Sequence, residues 1–168
     1  MSVAFSRSER PFPVHGVARI SFVRRGKESR LKDLYQHDPV RVLFPNAKAG
    51  EPPQAVIVTT SGGLVGGDVI DIEARVERDA AALFTAQAAE KISRSAGEDC
   101  LFRIKLSVEP GGWLEWLPQE TILFNGARMR RLTQVNLAPK AQILAGEFLV
   151  FGRKARGEKM TRGLVRDA

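Results

Sequence analysis

Short runs of alternating apolar and polar residues, separated by turn residues, constrain the fold of this sequence more than any other feature. In one such run Phe102, Ile104, Leu106 and Val108 alternate with polar residues, and the turn sequence Glu-Pro-Gly-Gly follows. A period of two is typical of a half-buried β-strand, whereas the apolar face of a helix recurs every three or four residues. Runs of this kind recur at intervals of roughly ten residues, which favours a mainly β fold.

The same reasoning predicts strands over residues 18–22, 40–44, 54–60, 70–76 and, interrupted at Gly146 and Glu147, 141–151. Helix candidates are few. Residues 79–95 are rich in alanine, although Leu83, Phe84 and Thr85 in the first half favour a strand, and residues 30–36 fit either a short helix or a strand. We therefore expect one mainly β domain over residues 1–168, with many short strands and one or two short helices, of the kind found in sandwiches, barrels and β-solenoids. The absence of an exact internal repeat argues against a regular solenoid.

A glycine-rich loop lies between two of these strands. Residues 61–68 read Ser-Gly-Gly-Leu-Val-Gly-Gly-Asp, and the alternating run that follows indicates that the loop joins strand to strand. A phosphate-binding P-loop would need Lys and then Ser or Thr after its last glycine, but Asp68 stands there instead. Asp68 is either a ligand or acid-base group, or a turn residue that bonds its own backbone.

Charge and cysteine content narrow the classes of function. The 168 residues include 26 basic and 19 acidic side chains, for a net charge of +7, which could suggest a nucleic acid or an acidic partner. However, residues 152–168 hold six basic and two acidic side chains, and no aromatic ring adjoins the Arg128, Arg130 and Arg131 cluster. Cys100, His15 and His37 are the only side chains of their types, too few for a tight transition-metal site built from His and Cys.

The chain has no apolar run long enough to cross a bilayer and no secretory signal, so we expect a cytoplasmic protein without membrane contacts. Neither histidine adjoins a serine in a known catalytic motif, and no carboxylate pair has a spacing diagnostic of hydrolysis. The sequence therefore predicts a protein that is not an enzyme.

Five further side chains are candidates for a role. Trp113 and Trp116, three residues apart on a strand, should face opposite sides, one toward the core and one toward a surface that a partner could cover. Glu147 interrupts an apolar run and is either turned to solvent or lines an internal polar space. Glu90 and Lys91 are more readily explained as an exposed ion pair than as catalytic groups.

Four stretches in order resemble the successive signatures of the urease accessory protein UreD family, also called UreH: residues 60–68, 85–95, 114–124 and 152–158. The resemblance implies a β-rich fold with a β-helical or sandwich-like arrangement and very few helices. The same resemblance implies a non-enzymatic scaffold that works with UreF, the GTPase UreG and apo-urease to incorporate nickel. It also implies an internal polar passage for nickel, with no tightly bound cofactor. On this basis we expect Asp68, and secondarily Glu147, to line that passage as transient nickel ligands, because carboxylates hold nickel less tightly than imidazole or thiolate.

The sequence departs from the family in two places. Ser93 stands where the family usually has an aromatic residue, and family members continue well beyond the positions of residues 153–158. A β-sheet cut short in this way would present unpaired edges and uncovered apolar faces. A basic β-rich module that binds nucleic acid or protein is the alternative interpretation.

Overall fold

The computed structural model describes residues 13–48 and 50–168, which form three β-sheets. Sheet A has six strands in the order β14-β11-β8-β5-β1-β2. Its strands are β1 (His15–Arg25), β2 (Glu28–His37), β5 (Val69–Val76), β8 (Cys100–Val108), β11 (Arg128–Leu137) and β14 (Leu164–Asp167).

Sheet B has five strands in the order β12-β9-β6-β4-β3, and sheet C has three in the order β13-β10-β7. The strands of sheet B are β3 (Val40–Leu43), β4 (Gln54–Thr59), β6 (Ala81–Ala86), β9 (Trp113–Trp116) and β12 (Gln142–Ala145). The strands of sheet C are β7 (Glu90–Ile92), β10 (Thr121–Leu123) and β13 (Leu149–Phe151), and a 3₁₀ turn follows at Lys154–Arg156.

The chain visits sheets A, B and C in the same order three times, so that it winds as a solenoid. The first coil is β5-β6-β7, the second β8-β9-β10 and the third β11-β12-β13, after which β14 returns to sheet A. Every pairing between successive coils is parallel. The β-helical form of the predicted fold is thus confirmed. The argument against a solenoid was wrong because stacking requires matching apolar columns rather than a repeated sequence.

Two antiparallel hairpins cover the end of the solenoid that the first coil forms. Strand β2 pairs with β1, and β3 pairs with β4. Strands β1 and β4 in turn pair in parallel with β5 and β6 of the first coil. The coils are therefore stacked on a pair of hairpins that cover the first coil.

Apolar side chains in register on successive coils form the core. Phe22, Val76 and Val108 occupy one such column on β1, β5 and β8, and all three are buried. The Phe84 ring reaches this column from sheet B, with its centroid 5.7 Å from that of Phe22 in an edge-on arrangement. The alternating pattern of the sequence is thus explained by one row of side chains facing the inside of each coil.

Both helix candidates form strands, which was the open alternative for residues 30–36 and for the first half of residues 79–95. Residues 30–36 belong to β2, and residues 79–95 contain β6 and β7. The alanine-rich segment extends because β6 pairs with β4 on one side and β9 on the other, and because Phe84 faces the core. Tertiary pairing outweighs the helix propensity of alanine, which is worth less than 1 kcal/mol per residue. The prediction of one domain over residues 1–168, and that of no secretory signal, also concern residues 1–12, which lie outside the described residues.

Candidate functional site

A cavity of about 160 Å³ lies where sheets B and C meet and opens to solvent beside the exposed Gln87 and Gln119. Its apolar wall comes from inward side chains of sheets A and B, including Ile72, Ile104 and Trp116. Its polar wall comes from the turns that connect sheet B to sheet C in successive coils. The polar side chains on that wall and opposite it are Thr59, Gln87, Glu90, Lys91, Gln119, Thr121, Arg131 and Glu147.

Glu147 lies in the cavity wall between β12 and β13, where its side chain is 17% exposed, so it lines a polar space and is mostly withdrawn from solvent. One carboxylate oxygen accepts a hydrogen bond from the indole Nε1 of Trp116 at 2.8 Å. The other forms an ion pair with Arg131 at 2.5 Å. Both oxygens therefore have a partner, and each partner also lines the cavity.

Arg131 is the buried cation of this wall, and the sequence did not single it out from Arg128 and Arg130. It lies between Glu147 and Asp167 and forms an ion pair with each. Burial alone would lower the pKa of Arg131, but the two carboxylates outweigh burial and raise it. Arg131 therefore stays charged inside the solenoid.

The other two arginines of the cluster face the opposite way. Arg128 and Arg130 both pair with Asp99, Arg128 at 2.7 Å. These hydrogen bonds, that from Arg130 first, hold the pKa of Asp99 below its usual value although burial acts against them. Strand alternation therefore separates the three arginines, and the charges of the outer two are partly neutralised.

Glu90 is a cavity residue, and the prediction of an exposed ion pair with Lys91 was wrong. Alternation along β7 places Glu90 and Ile92 inward and leaves Lys91 exposed. Burial raises the pKa of the Glu90 carboxyl, although a hydrogen bond from Thr59 opposes the shift. The buried Ile92 two positions later is the sequence signal that places Glu90 on the inner face.

Asp68 lies beside the cavity and is not in its wall. The side chain is fully buried, and its two oxygens accept hydrogen bonds from the backbone N–H groups of Val14 at 3.0 Å and Val65 at 2.9 Å. The N–H of Asp68 also donates to the carbonyl of Val65 at 3.2 Å, which closes a turn. These contacts match the turn interpretation of Asp68, and they link the loop to the segment that enters β1.

The glycine-rich loop needs its glycines for two different reasons. Gly62, Gly63 and Gly67 have positive φ angles of 71°, 137° and 91°, which other residues rarely adopt. A Cβ on Gly66 would instead collide with the carbonyl of Glu98. The loop joins β4 to β5 as predicted, and Gly62 and Gly63 form part of the cavity wall.

The two tryptophans face opposite sides of β9, as predicted. Trp116 is buried, and its ring centroid lies 6.4 Å from that of Phe84. Trp113 is partly exposed, and its Nε1 donates to Glu115 at 3.0 Å. Each indole therefore donates to a glutamate, one inside the solenoid and one on its outer face.

The two histidines lie together on an exposed part of sheet A, whereas the cysteine is buried. His15 pairs with Asp71 at 2.7 Å, and His37 contacts the carbonyl of His15 at 3.2 Å, both on an exposed part of sheet A. Cys100 is buried, and burial followed by the charges of Asp68 and Glu90 raises the pKa of its thiol. Among residues 13–48 and 50–168, no three His, Cys, Asp or Glu side chains are grouped to hold a metal ion.

The last of the four signature stretches packs against the third. The guanidinium of Arg153 lies 4.1 Å from the centre of the Phe124 ring and pairs with Glu158 at 2.6 Å.

In the described part of the chain, no helix is both long and apolar enough to cross a membrane.

Comparison with known proteins places this chain among urease accessory proteins. A family described as "UreD urease accessory protein" matches residues 14–168. The urease accessory protein UreD of Magnetococcus marinus is 54% identical over 155 residues, which cover 92% of this chain and 54% of that protein. Urease accessory protein UreD 2 of Methylorubrum populi is 41% identical over 170 residues, which cover 96% of this chain and 57% of that protein.

A third relative, the urease accessory protein UreD of a Chelativorans species, is 40% identical over 153 residues. Those residues cover 91% of this chain and 55% of that protein. The chain therefore spans about half the length of the relatives it matches.

Proposed function

This chain belongs to the urease accessory protein UreD family, and from that premise we propose that it acts in urease maturation as a non-catalytic scaffold. The family match over residues 14–168 carries the proposal. The relatives' names describe accessory proteins of urease. The partners we propose are UreF, the GTPase UreG and apo-urease, and the proposed location is the cytoplasm.

We also propose that nickel passes through the cavity as cargo on its way to apo-urease. The Glu147 and Glu90 carboxyl groups line the cavity, and oxygen ligands bind nickel loosely enough to release it. Glu147 is already paired with Arg131 and Trp116, which weakens it further as a permanent ligand. This arrangement suits transfer better than storage.

Asp68 contributes to this proposal by stabilising the glycine-rich loop. Its carboxylate binds backbone N–H groups of Val14 and Val65, and the same loop supplies Gly62 and Gly63 to the cavity wall. Replacing Asp68 would therefore alter the shape of the passage even if the carboxylate never contacts nickel. Glu147 is the more direct test of the passage.

Nucleic acid and membrane surfaces have no part in the proposed function. Asp99 pairs with both Arg128 and Arg130, so part of the basic cluster is already neutralised within the chain. Phosphate binding needs cations that are free to displace counterions.

Co-expression of the tagged 168-residue chain with UreF, UreG and apo-urease tests the scaffold. We expect UreF to be recovered with the chain at equal stoichiometry, and UreG and apo-urease to follow when UreF is present. Failure to recover UreF with soluble chain would contradict the proposal.

Nickel transfer is tested in the same system with Glu147→Gln. We expect the assembled complex to form normally and the nickel content of urease to fall. Glu115→Gln is the matched control, because Glu115 accepts from Trp113 on the outer face as Glu147 accepts from Trp116 on the inner face. Equal nickel contents in the two variants would rule out a role for Glu147 in the passage.

A further inference from the structure

The two histidines of the chain lie next to each other on the outer face of sheet A. Val17 of β1 pairs with His37 of β2, and His15 lies two residues before Val17, so all three side chains share one face. Gly16 and Ala18, which alternate with them on β1, are buried, so this face is the outer one. Cross-strand neighbours that are offset by two residues remain within reach of ring side chains.

One ring nitrogen of His15 is held by a carboxylate. Its Nε2 lies 2.7 Å from Oδ2 of Asp71, on the neighbouring strand β5. The other oxygen of Asp71 pairs with Arg103 at 3.0 Å. A carboxylate only accepts hydrogen bonds, so Nε2 of the neutral His15 ring carries the proton and Nδ1 keeps its lone pair.

The ring of His37 is held by a backbone carbonyl. Its Nδ1 lies 3.2 Å from the carbonyl oxygen of His15. A carbonyl also only accepts, so Nδ1 of the neutral His37 ring donates and Nε2 keeps its lone pair. Among the residues that the structure describes, Nδ1 of His15 and Nε2 of His37 have no hydrogen-bond partner. Each exposed ring therefore keeps one unprotonated nitrogen open.

Metal-binding histidines have the same arrangement. A ligating imidazole usually donates its second ring N–H to a carboxylate or a backbone carbonyl, which fixes the tautomer and orients the ring. Asp71 provides the first kind of acceptor, and the backbone of His15 provides the second. Imidazole suits nickel, copper and zinc, whereas magnesium and calcium prefer oxygen ligands. The ligand class that fits this pair is therefore a divalent transition-metal cation.

We propose that His15 and His37 together bind one divalent transition-metal cation, such as Ni²⁺ or Zn²⁺, on the outer face of sheet A. Both rings are exposed, so rotation about their χ angles can bring the two open nitrogens to one ion without a change in the backbone. Because the described residues contain no group of three His, Cys, Asp or Glu ligands, water completes the coordination and the ion is held loosely. Neither histidine lines the cavity, so this site does not depend on the nickel passage proposed above.

Nuclear magnetic resonance of the imidazole nitrogens tests each ring separately, because the chain contains only two histidines. The chain is isotope-labelled, carries no polyhistidine tag and is kept at about pH 8, where an ordinary imidazole is neutral. We expect His15 as the Nε2–H tautomer and His37 as the Nδ1–H tautomer. One equivalent of Zn²⁺ should shift the resonances of both rings together, paramagnetic Ni²⁺ should broaden both, and Mg²⁺ should change neither.

His15→Gln and His37→Gln distinguish one shared site from two independent sites. Loss of a mere hydrogen-bond partner of a ligand weakens metal binding about 10–100-fold, so each single variant should bind Zn²⁺ at least about tenfold more weakly in calorimetric titration. The variant with both substitutions should bind little more weakly than either single variant, because one ion needs both rings. Tyr35→Phe is the matched control, since Tyr35 is exposed on the same face of β2, and it should bind as the unaltered chain does.

Without metal, all of these variants should unfold near the temperature of the unaltered chain, because the altered side chains are exposed. Glu147→Gln should leave the Zn²⁺ response of both rings unchanged, so that this site and the nickel passage are tested separately. Any of three results would overturn the proposal: a response of only one ring, responses of the two rings at different Zn²⁺ concentrations, or equal affinity in the unaltered chain and the doubly substituted variant.

Discussion

The side chain of Asp68 accepts a hydrogen bond from the backbone N–H of Val14 at 3.0 Å, across 54 positions of the chain. Its other oxygen accepts the N–H of Val65 at 2.9 Å. One buried carboxylate therefore fixes both the glycine-rich loop and the segment that leads into β1.

Asp68→Ala should lower the free energy of unfolding by about 1–3 kcal/mol for each donor left buried without an acceptor. Asp68→Asn should cost less, because the amide keeps one oxygen that can accept. Urea denaturation of the two variants and the unaltered chain would measure both effects. Equal stability of Asp68→Ala and the unaltered chain would show that these hydrogen bonds contribute nothing. If nickel loading falls in the alanine variant alone, the loss comes from the loop and not from a missing ligand.

The two tryptophans should respond very differently to removal. Trp116→Ala should lower the free energy of unfolding by about 3–5 kcal/mol, because it empties a buried position beside Phe84 and Glu147. Trp113→Ala should cost about 1 kcal/mol or less, because Trp113 is partly exposed. Fluorescence reports each site: the emission that remains in Trp113→Phe should resist quenching by iodide, and that in Trp116→Phe should not. Equal quenching in the two variants would contradict the placement of the rings.

Among the three clustered arginines, substitution of Arg131 should lower the free energy of unfolding most. Arg131→Met should lower the free energy of unfolding by about 3 kcal/mol, because it leaves the partly buried Glu147 and Asp167 without a cation. Arg128→Met should cost about 1 kcal/mol or less, because Arg130 still pairs with Asp99. Thermal and urea unfolding of both variants would measure the difference. An equal loss of unfolding free energy in the two variants would show that the ion pairs of Arg131 stabilise the protein no more than those of Arg128.

Adding Glu147→Gln to Arg131→Met should restore part of the stability. The amide has no charge to leave unpaired and can still accept from the indole of Trp116. A double variant that is less stable than Arg131→Met would show instead that Glu147 stabilises the solenoid without Arg131.

Local alternation was sufficient to predict β1, β3, β5 and β8, because each of them buries alternate residues along most of its length. It was not sufficient for the mostly exposed β2. The order of the sheets was beyond such reasoning. Parallel partners lie on different coils, as in the pairing of Val76 with Val108, and no repeated sequence marks the length of a coil. The alanine-rich segment stayed ambiguous between helix and strand for the same reason, since the strands that pair with β6 are distant in sequence.

The site was predictable only in part. Glu147 stood out because it is a charge in an apolar run, and the structure places it in the cavity wall. Glu90 was assigned to an exposed ion pair because its inward direction depends on the register of the short strand β7. Arg131 looked like one of three equal arginines until strand alternation and the position of Asp167 separated it from the others.

The partly buried carboxyl group of Glu90 should make stability depend on pH. Burial raises its pKa in the folded chain, so the folded state holds this proton more tightly than the unfolded state does. The free energy of unfolding should therefore fall as pH rises from about 4.3, the ordinary pKa of glutamate, through the raised value. Glu90→Gln cannot ionise, and its amide oxygen can still accept from Thr59. The Glu90→Gln variant should be more stable than the unaltered chain at pH 7. Its free energy of unfolding should lack the part of the fall with rising pH that the Glu90 carboxyl group causes.

Asp99→Asn is the control, because the pKa of Asp99 is shifted in the opposite direction to that of Glu90. The hydrogen bond from Arg130, helped by that from Arg128, lowers the pKa of Asp99, so its stabilising effect is present above the ordinary aspartate pKa of about 3.9 and is lost as pH falls. The asparagine variant should be less stable than the unaltered chain at pH 7, and the difference should shrink in acid. Urea unfolding from about pH 2 to pH 7 would measure both variants, because Asp99 changes charge below about pH 3.9 and Glu90 above about pH 4.3. An unchanged slope in Glu90→Gln would mean that Glu90 ionises as freely in the cavity as in the unfolded chain.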